Sequence, residues 1–229
     1  RVFAIDAETG KGIWNITGYM SLRAIADGYL LGYNGYDNRI YCFGKGPSAT
    51  TVTASPKVSV HGNKVLVEGT VIDIAAGTKQ DEQAARFPNG VPAVADESMG
   101  EWMEYVYMQK PRPANAIGVE VVVNVLDPNN NYYEVGRTTS DANGLFSVAF
   151  EPPVPGKYTV IATFEGSESY WPSHAETALY VEDAPAATPE PTPTPASVAD
   201  MYFVPSVIGI IVAIIIGFAL IALLLLRKR

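Results

Sequence analysis

Apolar and polar positions alternate along most of the chain before residue 183, the two-residue period of strands whose successive side chains face opposite environments. Val2 and Ala4 alternate with Phe3 and Ile5. Glu8-Thr9-Gly10-Lys11 then forms a turn before Ile13 and Trp14, and Asp27-Gly28 introduces Tyr29-Leu30-Leu31. Asn34 to Asn38 is a further turn, ahead of Arg39-Ile40-Tyr41-Cys42-Phe43. Turn signals recurring roughly every ten residues are the mark of meandering antiparallel sheets. Farther on, Lys64 to Val71 places Val65, Val67 and Val71 on one side and Lys64 and Glu68 on the other, and Val119 to Val125 repeats the pattern. Tyr132 to Thr139, Leu145 to Phe150, Tyr158 to Phe164 and Thr177 to Val181 complete six or seven strands. Between them lie Asp127-Pro128-Asn129-Asn130-Asn131, Asp141-Ala142-Asn143-Gly144 and Pro155-Gly156, residues that tolerate turn conformations. The fold class expected is mainly β, with Phe146, Val148, Phe150, Tyr158, Val160 and Phe164 in a sandwich core.

Two stretches break this period. Ala75 to Asn115 is a polar, Gly- and Pro-containing insertion in which Ser98-x-x-Glu101 reads as a capping box ahead of Trp102 to Met108, with Pro111 as the stop. On that predicted helix Met99, Trp102, Met103 and Val106 share one face, and Glu101 and Glu104 lie on another. The face either docks on the neighbouring sheets or serves as a partner-recognition patch, since Trp and Met concentrate at interfaces. The second break is Phe203 to Leu226, 24 residues with no ionisable side chain. At about 1.5 Å per residue they make a helix of roughly 36 Å, enough to cross a hydrocarbon core of about 30 Å.

Charge orients this span. No Lys or Arg occurs between Lys157 and Arg227, whereas Arg227, Lys228 and Arg229 follow the apolar run, so the tail is expected in the cytoplasm and the rest outside. Setting aside the three tail cations leaves 13 of the 16 basic residues against 24 acidic ones, a net of −11 for the outer part. An acidic exterior offers no basic stripe for nucleic acid. Ala184 to Ser197, APAATPEPTPTPAS, has no bulky apolar residue to build a core; it reads as a polyproline II stalk reaching roughly 40 Å, with Thr188, Thr192 and Thr194 as O-glycosylation candidates. Cys42 is the only cysteine, and its apolar neighbours predict a buried small residue. Arg1 falls inside the first strand pattern, so the sequence is read as part of a longer chain whose export signal lies upstream.

Ala4-x-Asp6-x-x-Thr9-Gly10-x-x-x-Trp14 resembles the tryptophan-docking motif of quinoprotein-like (PQQ-like) β-propeller repeats, and Tyr36 to Tyr41 looks like part of the next blade. The resemblance implies that Trp14 packs against the neighbouring blade while Asp6, Thr9 and Gly10 hold the turn, with two strands of one blade and three of the next. Thr138 to Phe146, followed by Pro155-Gly156-Lys157-Tyr158, resembles the immunoglobulin-like and carboxypeptidase-regulatory-like modules of archaeal and bacterial surfaces. The stalk, span and basic end are similar to the C-termini of archaeal surface proteins. The implied organisation is propeller blades at 1–46, an immunoglobulin-like β-sandwich at 47–183 with its helical insertion at about 75–115, a stalk at 184–200, a transmembrane helix at 201–226 and a tail at 227–229.

Candidate chemistry is sparse. There is no Ser/His/Asp grouping, no framed carboxylate pair and no phosphate-binding glycine loop; His61 and His174 lack ligand spacing, so no cofactor and no metal is expected. Asp141-x-Asn143-Gly144 carries oxygens suited to calcium, but Pro152 stands where an EF-hand loop needs its glutamate, and a hairpin turn is expected instead. Asn15-Ile16-Thr17 is an N-glycosylation sequon. The function expected is a non-catalytic membrane-anchored extracellular binding or scaffolding protein, held in the bilayer through 203–226 and facing a protein or glycan partner. The alternatives are a quinoprotein-like dehydrogenase whose active site lies in upstream blades, and an accessory subunit of a membrane complex; Gly209 and Gly217 are not spaced as GxxxG.

Overall fold

The computed structural model describes residues 1–186 and 197–227, which fall into two units, Arg1–Ala184 and Pro185–Arg229. In the first unit, β1 (Val2–Ile5) and β2 (Gly12–Ile16) form an antiparallel hairpin, and β3 (Met20–Ala26), β4 (Tyr29–Asn34) and β5 (Arg39–Phe43) form a three-stranded antiparallel meander. The turn between β3 and β4 places Asp27 and Gly28 at φ 51° and 79°, the left-handed pair that matches the twist of the strands it joins.

The next strands, β6 (Ser48–Ser55), β7 (Val58–Val60) and β8 (Val65–Asp73), lead into the insertion, which holds α1 (Asp81–Arg86), the short β9 (Val91–Pro92) and α2 (Met99–Met108). Then come β10 (Glu120–Leu126), β11 (Tyr132–Thr139), β12 (Leu145–Phe150), β13 (Gly156–Phe164) and β14 (Ser173–Glu182). They sort into a five-stranded sheet ordered β11-β10-β13-β14-β7 and a second sheet ordered β12-β8-β6, with β9 paired to β8. The pairing is antiparallel except at the edge, where β7 runs parallel to β14. Both sheets contribute to one core: Val65, Val67, Val71, Phe146 and Phe150 from one, and Val121, Val123, Val125, Tyr158, Val160, Phe164 and Leu179 from the other. Val148, expected in the core, is half-buried against it.

The apolar pattern does not foresee β6 and β7. Ser48-Ala49-Thr50-Thr51-Val52-Thr53-Ala54-Ser55 buries only Thr50 and Ala54, small or polar residues that leave no apolar alternation to read. The capping box does not form either. Ser98 has helical φ and ψ of −92° and −12°, and its hydroxyl accepts the Ile117 N–H at 3.0 Å instead of closing on the helix. Helix α2 ends at Gln109 in the left-handed conformation, two residues before Pro111.

In the second unit, α3 spans Val198–Arg227, starting inside the stretch expected to close the stalk. From Met201 to Arg227 it is long and apolar enough to cross a membrane. Most of the stretch expected to form a stalk, including Thr188, Thr192 and Thr194, and the expected tail residues Lys228 and Arg229 lie outside the described residues.

Candidate functional site

Five residues singled out in the N-terminal stretch meet in one hairpin. Asp6 Oδ1 accepts the Thr9 N–H at 2.6 Å, the Thr9 hydroxyl at 2.7 Å and the Glu8 N–H at 3.1 Å, while the Asp6 carbonyl accepts the Gly10 N–H at 2.9 Å. The Thr9 hydroxyl, followed by these backbone donors, holds the Asp6 carboxyl below its ordinary range. Gly10 sits at φ 69°, a conformation that a side chain resists, so the chain turns here and delivers β2 back along β1. Ala4 then lies opposite Trp14, on the same face of the hairpin. The Trp14 ring stacks on Phe43 of β5 with centroids 5.4 Å apart and planes 23° apart, and Phe43 in turn stacks on Tyr41.

This contact joins the inner faces of the hairpin and the meander, yet their outer faces are apolar too. Phe3, Ile5 and Ile13 are each at least 60% exposed on one side. On the other, alternation along β4 and its pairing with β5 bring Tyr29, Leu31, Tyr33, Ile40 and Cys42 to one surface. Cys42 is exposed, contrary to the sequence expectation, because Tyr41 and Phe43 take the inner face and leave the residue between them outside. Asn15 is exposed at the end of β2, where its side-chain oxygen accepts from Arg1 at 2.8 Å.

The helical face singled out in the insertion points inward. Trp102 and Val106 have no exposed surface and form a second cluster with Val91 and Val94, and Met99 and Met103 are half-buried against it. Trp102 and Val106 are therefore not free to serve as a surface patch: their apolar area packs on Phe87, Val91, Val94 and Ala116 in and beside the insertion, and Met99 also reaches the two-sheet core, because a surface helix hides its apolar stripe wherever a neighbouring element can cover it. Two polar residues that the sequence pattern does not mark complete this cluster. Arg86 donates to the carbonyls of Val106 and Tyr105, each at 2.9 Å, and lies 4.6 Å over the Tyr105 ring; the Gln83 amide donates to Val106 at 3.1 Å. Arg86 thereby satisfies carbonyls at the C-terminal end of α2, where the helix dipole favours a cation. Its only sequence signal is a basic residue at the end of a short polar helix, which is too common to be read.

Other polar groups serve the frame. Asp73 is buried, accepting the Ala75 N–H at 2.7 Å and the Tyr170 hydroxyl at 3.4 Å; burial pushes its carboxyl up, and burial together with the Asp73 charge pushes the Tyr107 and Tyr170 hydroxyls up as well. A shallow groove of about 230 Å³ is lined by Asp96, Glu97, Glu120 and Glu165, but the Asp96 oxygens already accept the Ser167 hydroxyl and the Glu168 and Ser169 N–H groups. Asp141 spends one oxygen on the N–H groups of Asn143 and Leu145, closing a tight turn; it is not the expected hairpin, because the chain passes here from β11 in one sheet to β12 in the other.

No protein-family model and no curated protein matches the chain. Among solved structures, it is similar to the sporulation control protein Spo0M from Bacillus subtilis, with a TM-score of 0.31 and 10% sequence identity. The similarity covers 60% of this chain and 50% of that one, so the chain spans about half of the structure it matches.

Proposed function

We propose that the protein is a non-catalytic scaffold or binding protein of the cell exterior, anchored in the bilayer by α3. In this reading β1 to β5 are the last blades of a β-propeller, and β6 to β14 are an immunoglobulin-like module that carries them on the stalk. One observation carries the proposal: both N-terminal sheets are apolar on both faces. A sheet whose one side faces water alternates apolar with polar residues, whereas a sheet made to be covered on both sides does not. Phe3, Ile5 and Ile13 on one flank, and Tyr29, Leu31, Tyr33 and Ile40 on the other, are therefore surfaces for further sheets, stacked as Trp14 and Phe43 already stack. The Asp6-Thr9-Gly10 turn supports the reading, since it fixes the hairpin that presents Trp14.

Thiol labelling in intact cells tests both halves. With Cys42→Ser as background, Ser147→Cys on an exposed position of β12 should react with a membrane-impermeant maleimide before permeabilisation. Reaction only after permeabilisation would overturn the exterior placement. Native Cys42, lying on the outer face of the meander, should react at least tenfold more slowly than the thiol introduced by Ser147→Cys in the membrane-bound protein, and as fast once the protein is denatured. Equal rates in the native protein would overturn the covered face.

A further inference from the structure

Helix α2 has a second face. Trp102 and Val106, four residues apart, point into the apolar cluster of the insertion, while Gly100 and Glu104, also four apart, lie against strand β2. The Asn15 carbonyl approaches Gly100 so closely that a Cβ there would stand 3.2 Å from its oxygen. One turn farther on, Glu104 Oε1 accepts the Thr17 N–H at 2.6 Å. Two residues of extended chain advance roughly 6.5 Å and four residues of helix roughly 6 Å, so the 15/17 and 100/104 pairs meet in register. A second tie runs from the same insertion to the same N-terminal sheets: Arg39 of β5 pairs with Glu82 of α1 at 3.0 Å. Both groups that the insertion contributes to these polar ties are carboxylates, and the more deeply set of them holds a backbone N–H.

We infer that the insertion is an acid-releasable clamp: ionised Glu104 holds the N-terminal sheets against α2, and its protonation frees them while the sandwich stays folded. Burial raises the Glu104 carboxyl, but the bonds from Thr17 and the charges of Arg1, from the hairpin, and Lys110, beyond the end of α2, outweigh it and leave the group below its ordinary 4.5. A depressed folded pKa means that the contribution is complete at neutral pH and is lost as pH falls through the folded value. Glu82 faces Arg39, with Asp37 beside that guanidinium, and this exposed pair adds a tie that weakens with salt. The Trp102 and Val106 side of the helix meets apolar groups, the Gln83 amide and the Arg86 guanidinium, with no carboxylate among these contacts to be neutralised by acid, so the packing inside the insertion persists.

Amide hydrogen exchange of the full chain in detergent micelles, corrected for intrinsic rates, tests the clamp between pH 7 and pH 3. Protection over residues 12–18 should fall at least tenfold with a midpoint below 4.5, while protection over 145–150 and 156–164 holds. Glu104→Gln should show the low protection over 12–18 already at pH 7 and no transition in this range. Gly100→Leu, which forces β2 off the helix without touching a charge, should do the same. Loss of protection in the N-terminal and sandwich strands at one common midpoint would overturn the inference, and so would an unchanged transition in Glu104→Gln.

Discussion

Among single residues, two polar side chains decide more than their positions in the sequence announce. Arg86 gives two hydrogen bonds to carbonyls near the end of α2 and stacks on Tyr105. Arg86→Met keeps most of the stem and loses the donors, so stability should fall by about 2 kcal/mol, as for hydrogen bonds from a charged group. Chemical denaturation in micelles measures this, and a change within about 0.5 kcal/mol would mean that water replaces the guanidinium at no cost. Asp73 works the other way. Burial outweighs its bonds from Ala75 and Tyr170 and lifts its carboxyl above the ordinary 3.8. A raised folded pKa means that the native state favours the protonated acid, so this group's contribution is greatest at low pH and declines as pH rises through the unfolded and then the folded value. Asp73→Asn should therefore stabilise the protein at pH 7, with the gain vanishing toward pH 3; a variant less stable at every pH would show that the ionised form is needed. Neither role is legible in the residue order. The one depends on which carbonyls come within reach of Arg86, the other on how much chain covers Asp73.

Among strands and helices, those flanked by strong turns are readable in advance. Tyr132–Thr139 and Leu145–Phe150 have the bounds their alternation predicts, because Asp127 to Asn131 and Asp141 to Gly144 close the chain on either side. β6 stays hidden because it lies at a sheet edge and buries small residues, and the Ser98 hydroxyl leaves its expected capping role because Ile117, nineteen residues on, competes for it. The same sheet shows what neighbours demand of a central strand. Gly69 lies on the core face of β8, where an added Cβ would overlap the Thr51 carbonyl and meet the Phe146 ring at 2.6 Å. Gly69→Ala should cost about 3 kcal/mol through displacement of the β6–β8 pairing and the Phe146 ring. A thermal melt reads this, and a loss below about 1 kcal/mol would show that β6 shifts freely. For α2, the amphipathic stripe is evident in the sequence, but the partner of each face is not. Trp102 and Val106 meet Phe87, Val91 and Val94 of the insertion, and Gly100 and Glu104 meet β2.

Taken whole, the first unit combines a well-filled core with sheets that lack cover. The sandwich buries aromatic and valine side chains from both layers, whereas the N-terminal sheets share a single stacked contact and expose apolar rings on both flanks. Large exposed apolar surfaces on otherwise ordered strands are the ordinary sign of an interface. The labelling experiment on Cys42 and Ser147→Cys addresses the molecule at this level, since it reports at once on the proposed exterior placement of the first unit and on whether its flank is covered. Polar ties join these sheets to the insertion, from Thr17 to Glu104 of α2 and from Arg39 to Glu82 of α1.

Features that depend on neighbours along the chain could be read from the order of residues alone. The two-residue period set most strands, short polar residues set the turns, and an uninterrupted apolar run made the helix able to cross a membrane, because backbone preference and local hydrophobic pattern act over a few residues. Which face of each element is covered came instead from packing between distant segments: Cys42 outside rather than in, the Trp102 face covered rather than left for a partner, Ser98 bonded to Ile117, Glu104 to Thr17 across 87 residues. Burial and hydrogen-bond pairing are set by the segments that arrive from elsewhere in the chain, and no local pattern records which segment that will be.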